Sequence, residues 1–99
     1  MKKFKFTQGP WRVLPEECDK TYIRIRGTRL GERYKVANVI TPVHEGVLPL
    51  EAEETRANAR LIKASPDMFI LLYKLAIGME TIEIEEVKKL LLQINGVNE

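Results

Sequence analysis

Thr21-Tyr22-Ile23-Arg24-Ile25-Arg26 alternates without a break, and its reading decides the fold. Ile23 and Ile25 fall on one side, and Tyr22, Arg24 and Arg26 on the other. Period two over six residues marks a half-buried antiparallel strand, since successive side chains leave a strand on opposite faces. Gly27 and Gly31 bracket a turn, and Tyr34 to Thr41 is rich in β-branched residues before it ends at Pro42. Two strands joined across Gly27 to Arg33 make a hairpin. Upstream, Gly9-Pro10 punctuates the chain before Trp11-Arg12-Val13-Leu14, a short alternating piece that stops at Pro15. Residues 1–50 are therefore expected to form a small antiparallel sheet of about three strands.

The second half, residues 51–99, changes period. Pro49 precedes a helical stretch from Glu51 to Ala64, acidic in its first turn (Glu51, Glu53, Glu54) and basic in its last (Arg60, Lys63). That polarity complements the helix dipole. Ser65-Pro66 then reads as an N-cap followed by proline at the first helical position, where its missing N–H costs nothing. The helix it opens runs to about Met79, weakens at Gly78, and is apolar on every side, with Lys74 its one interior charge after the first turn. Such a helix has to be covered all round. A chain this short can hardly surround it, so a homo-oligomer through residues 66–79 is expected. Glu83 to Asn95 carries the stripe Ile84, Val87, Leu91 and Ile94 and is closed by Gly96, which predicts a third helix. Thr81 to Glu85 also alternates, so a strand there stands as an alternative. The whole is an α+β single domain over residues 1–99, a sheet packed against two or three helices.

With 99 residues there is no length for a second core. The longest uncharged apolar run, Met68 to Tyr73, is far below the roughly 20 residues a bilayer needs. No apolar stretch follows the lysines at the start, so no secretory signal is expected. Cys18 is the single cysteine and His44 the single histidine, which exclude an internal disulfide and leave no set of zinc ligands. Glu17 and Asp19 flank Cys18 and disfavour its thiolate. With no phosphate-cradling glycine loop and only helix-surface carboxylates, the chain is expected not to be an enzyme and to carry no cofactor or metal. A cytoplasmic location fits this cysteine usage.

The net charge of +2 conceals a division. Residues 1–50 carry ten basic and five acidic side chains, whereas residues 51–99 carry six and nine. The basic excess concentrates between Lys20 and Lys35. Tyr22, Arg24 and Arg26 share one strand face at intervals of about 6 to 7 Å; Arg29 and Arg33 follow in the loop, and Lys35 opens the return strand. Guanidinium groups grip phosphate bidentately and an aromatic ring gives a base a stacking surface. These residues are candidates for a nucleotide-like ligand or a nucleic-acid backbone. The alternative is a solvated outer face, its arginines paired with the acidic turn at residues 51–54. Trp11 reads either as a core anchor or as a stacking ring. Asn58 falls between Leu61 and Ile62 in the apolar stripe with Glu54 one turn earlier. A buried amide needs a partner, at a sheet edge or in the connection from Val43 to Pro49; alternatively Glu54 and Asn58 floor a ligand site.

Two segments together resemble a known group. Thr7-Gln8-Gly9-Pro10-Trp11 resembles the T-x-G-P-W opening of small tailed-phage and prophage proteins, and Ala57 to Met68 resembles their A-N-A-R-L-I-x-x-[AS]-P-[DE]-[LM] segment. The resemblance covers most of the chain up to about Ala76. It implies a phage origin and a strand-then-helix fold, and it supplies no catalytic residue. Small non-essential phage proteins often act on the host by blocking a nuclease, occupying a regulator or sequestering a nucleotide signal of immunity. The expected function is accordingly a non-enzymatic accessory protein, in the host cytoplasm, that binds and sequesters a phosphorylated nucleotide-type ligand to counter host defence. Tyr22, Arg24, Arg26, Arg29, Arg33, Lys35 and Trp11 would contact that ligand. Nucleic-acid binding is less favoured by so small a net charge, and inhibition of a host protein is a further alternative.

Overall fold

The computed structural model describes residues 4–17, 20–31, 33–40, 49–78 and 83–96. Cys18, His44, the connection over residues 41–48, Met79 and Thr81-Ile82 lie outside them. In chain order come strands β1 (Trp11–Val13), β2 (Tyr22–Gly27) and β3 (Lys35–Ile40), then helices α1 (Pro49–Lys63), α2 (Ser65–Ile77) and α3 (Ile84–Ile94). A short 3-10 turn, Arg29–Gly31, sits inside the hairpin. The sheet is fully antiparallel in the order β1-β2-β3. This is the α+β arrangement that the periodicities predict.

The alternation in β2 sets the layers. Ile23 and Ile25 are fully buried and form the core with Ala59 of α1. Trp11, Val13, Val36, Ala37, Val39 and Ile62 pack around them. The register places Val13 and Ala37 beside Ile25, and Val39 beside Ile23, so all three strands turn their apolar faces the same way. Helix α1 covers that face and touches every strand. A register shift at Ile25/Arg26 lets both Val36 and Ala37 reach the core, as a β-bulge does by setting two residues against one.

Two details of the helices differ from the sequence-based expectation. The buried face of α1 is Ala52, Thr55 and Ala59, with Asn58 and Glu54 exposed. Small side chains allow the helix to lie close on the sheet, which turns Leu61 and Asn58 outward; the buried polar group is Thr55, whose hydroxyl donates to the Glu51 carbonyl at 3.1 Å. Ser65 is not a cap. Ala64 keeps helical torsions, its N–H donates to the Arg60 carbonyl and its carbonyl accepts from Met68, so α1 and α2 are separated by Ala64 alone, next to Pro66, which lacks the N–H that would continue the ladder. The third helix forms where the stripe predicts it, and Ile84 and Glu85 are helical, so the strand alternative does not hold at those residues. Gly78 closes α2 in the left-handed conformation, donating its N–H to the Lys74 carbonyl.

Candidate functional site

The open face of the sheet carries much of the basic cluster. Arg26 lies opposite Arg12 across β1/β2 and opposite Lys35 across β2/β3, while Arg24 faces Asn38 and Tyr22 faces Ile40. Like charges directly opposite each other weaken a strand pair. The side chains do not converge on a pocket. Arg24 turns to the preceding loop, donating to the Pro15 carbonyl at 3.3 Å and pairing with Glu17 at 2.8 Å. Arg26 folds along the sheet, its Nη1 donating to the carbonyls of Ile25 and Ala37 and to Asn38 Oδ1. Neither is paired with the acidic turn of α1: Glu53 of that turn is taken by Arg60 of the same helix, and Arg56 pairs with Glu16. Arg33 is exposed in the loop.

Trp11 faces the opposite way. Its ring packs on the core and its Nε1 donates to the Thr7 carbonyl at 3.0 Å. That bond closes the turn around Gly9-Pro10 and leaves no stacking face directed at the arginines. The Pro10 carbonyl accepts from the Thr28 hydroxyl at 3.2 Å, which fastens the same turn to the hairpin.

Arg29 leaves the sheet and meets an aromatic ring. Its guanidinium stands 5.3 Å from the centroid of Tyr34, within the range in which a cation is held over a ring. Tyr34 lies against Gly27, where an added Cβ would come within 3.1 Å of the tyrosine Cβ, and its carbonyl accepts from the Gly27 N–H. The pair forms one wall of a cleft of about 620 Å3, inside the range typical of small-molecule sites. The rest of its lining is Phe4, Lys5 and Phe6, the Thr7 to Pro10 turn, and Pro66, Asp67 and Ile70 at the start of α2. Phe4 and Phe6 are fixed in turn by edge-on packing against Phe69, at 4.9 Å each.

The cleft lining therefore combines aromatic rings, two cations and one carboxylate. An anionic group would sit toward Arg29 and Lys5, and Asp67 would repel it while accepting hydrogen bonds from neutral donors. Of the candidates read from the sequence, only Arg29 belongs to it. Tyr34, Lys5, Phe4, Phe6 and Asp67 escaped that reading, as did Arg12 on the sheet's open face. Arg12 was legible from the alternation of Trp11-Arg12-Val13; the cleft residues come together only through tertiary packing.

A two-layer α+β protein with an open basic sheet face and an aromatic cleft at its end is the class these features define. A family model described as Salmonella phage P22 protein Y8K6 matches residues 1–94. The chain belongs to that family, a family of phage proteins of unknown function. No curated protein and no solved structure matches it. Among the described residues, no helix is long and apolar enough to cross a membrane.

Proposed function

We propose that this phage protein is a non-enzymatic accessory protein that binds a phosphorylated nucleotide-type ligand in the cleft between Phe4 to Pro10, Tyr34 and the start of α2. The observation that carries the reading is the Arg29–Tyr34 pair on the wall of a cleft of about 620 Å3. The ring has its other face for a base, and the guanidinium held over the first offers phosphate two parallel donors. Asp67 suits an amino or hydroxyl donor of the same ligand. A protein that only binds removes its ligand from solution in proportion to its own amount, which is sufficient to blunt a nucleotide signal of host defence.

Isothermal titration against a panel of cyclic and linear nucleotides tests this. One member is expected to bind at micromolar concentration. Arg29→Ala should weaken it by about tenfold or more, the usual weight of a hydrogen bond to a charged group. Arg24→Ala should leave it unchanged. Absence of heat across the panel removes the proposal.

The register of the open face favours a second reading, nucleic-acid binding, in which Arg12, Arg24, Arg26 and Lys35 contact the backbone and Tyr22 stacks. Its signature is binding that falls steeply with salt, through counterion release. Arg24→Ala and Arg26→Ala would weaken it and Arg29→Ala would not. A failed mobility shift at low salt ends this reading.

A further inference from the structure

Asp67, the carboxylate of the cleft lining, narrows the ligand further than the cations do. It lies in the first turn of α2 and lines the cleft together with Lys5 and Arg29. The residue is exposed, and among the described residues no group makes a hydrogen bond or ion pair with it. Lys74 and Lys89 share a neighbouring groove with Asp67 and are not paired with it either. Glu16, Glu17 and Glu53, by contrast, each hold an arginine. The cleft thus contains an acceptor that the chain itself leaves unused.

A carboxylate accepts hydrogen bonds through two oxygens side by side and donates none. Facing the edge of a flat base, it calls for two adjacent N–H groups. The bases differ on this point. Guanine presents N1–H and its N2 amino group next to each other. Adenine sets its N6 amino group beside the bare N1, and cytosine its N4 amino group beside the bare N3, so each turns a lone pair toward one carboxylate oxygen. Uracil holds N3–H between two carbonyls. Among the common bases only guanine gives both oxygens a donor. Bonds to a charged acceptor are roughly twice as strong as neutral ones. Guanine O6, beside N1–H, needs a donor in turn, and the Gln8 amide in the same lining is one.

We infer that the cleft selects a guanine nucleotide, Asp67 taking N1–H and the N2 amino group while Arg29 and Lys5 hold phosphate. This rests on the nucleotide reading of the cleft and adds the base to it. Arg29 comes from the hairpin and Asp67 from α2, so the opposite charges stand on different elements. A guanine nucleotide has its anion at one end and its paired donors at the other, and answers both charges. Free phosphate answers only the cations, and an unphosphorylated guanosine only the carboxylate.

Titration calorimetry of the full chain with the 5′-monophosphates of guanosine, inosine and adenosine tests the selection. Inosine keeps N1–H and lacks the N2 amino group; adenosine lacks both donors. Binding should weaken about tenfold from guanosine to inosine and about a hundredfold to adenosine, since each step removes one bond to a charged group. Cyclic diguanylate against cyclic diadenylate repeats the comparison and shows whether the guanine arrives on a mononucleotide or a dinucleotide. An acid in the first turn of a helix is favourable in itself, so the telling readout is a change of preference. Asp67→Asn replaces one acceptor by a donor, the pattern that adenine matches. It should weaken the guanine nucleotide about tenfold and tighten the adenine nucleotide relative to wild type, whereas a merely structural role would move both alike. Wild-type affinities that are equal or favour adenine overturn the inference and leave the nucleotide reading standing. So does an Asp67→Asn variant that keeps the wild-type preference. Absence of heat with every nucleotide removes both.

Discussion

Gly9 stands so close to Pro66 that a Cβ on the glycine would lie 2.9 Å from the Cβ of the proline ring. The contact joins residues of two segments far apart in sequence, the Thr7 to Trp11 turn and the helix break, and both residues line the cleft. It also explains in packing terms why glycine stands at position 9. A larger residue at position 9 would push α2 away from the sheet.

Gly9→Ala is therefore expected to destabilise the protein by about 1 to 3 kcal/mol, the usual range for overpacking against a rigid neighbour. Elsewhere the same change can stabilise, by restricting the unfolded chain. The two effects have opposite signs, so urea denaturation decides between them. A Gly9→Ala midpoint at or above the wild-type value would show that Pro66 yields easily.

Ile25 carries the core in the way the alternation of β2 foretells. Ile25→Ala should cost about 2 to 5 kcal/mol, a large share of the 5 to 15 kcal/mol typical of a domain. Leu50→Ala, on the exposed side of α1, should cost almost nothing. Equal losses at the two positions in chemical denaturation would contradict the assignment of the core to the sheet–α1 layer.

The contrast between these elements shows what a sequence exposes to reading. Strand β2 is legible because a half-buried strand writes its two faces into alternate residues. Helix α1 is legible as a helix but not in rotation: large apolar residues suggest a stripe through Leu61 and Ile62, whereas close packing on the sheet selects Ala52, Thr55 and Ala59. Asn58 was misplaced for that reason. At Ser65 a good capping residue was available, but Ala64 stays helical and leaves no orphan turn for the hydroxyl to cap. The cleft was illegible because Phe4, Tyr34 and Asp67 acquire a common purpose only when three distant segments meet. Arg29 and Tyr34 sit at the two ends of one loop, and no periodicity links them.

Glu16 and Arg56 join the loop after β1 to α1 through two hydrogen bonds, 2.7 Å from Nε and 3.1 Å from Nη2. The bond from Arg56 and its positive charge hold the Glu16 carboxyl below its ordinary pKa of 4.5, against a smaller opposing effect of burial. A carboxylate depressed in the folded state stabilises fully above its unfolded pKa and stops doing so as pH falls through the folded one. Both side chains remain largely solvated, so the contribution is about 0.2 to 1 kcal/mol. Glu16→Gln should thus be less stable than wild type at neutral pH. The two curves should converge below pH 4.5, and urea titrations across that interval check it.

Arg60 ties the two ends of the helical half together. Its Nε donates to the Ile94 carbonyl at 3.0 Å, one of the last carbonyls of α3, which have no partner within the helix. Its guanidinium also lies against Gly96, where an added Cβ would approach Nη2 within 2.9 Å and where the backbone has a φ of +85°. Arg60→Met keeps most of the aliphatic stem and removes the donor. About 1 kcal/mol should be lost from the end of α3, and a fivefold rise in amide exchange over Leu90 to Ile94 corresponds to that figure. The amides of Ile23 and Ile25 should be unaffected, because their protection depends on opening of the sheet. Unchanged exchange in α3 would mean that packing against α1, rather than this bond, holds the helix. An equal rise in both regions would mean that Arg60 supports the whole fold.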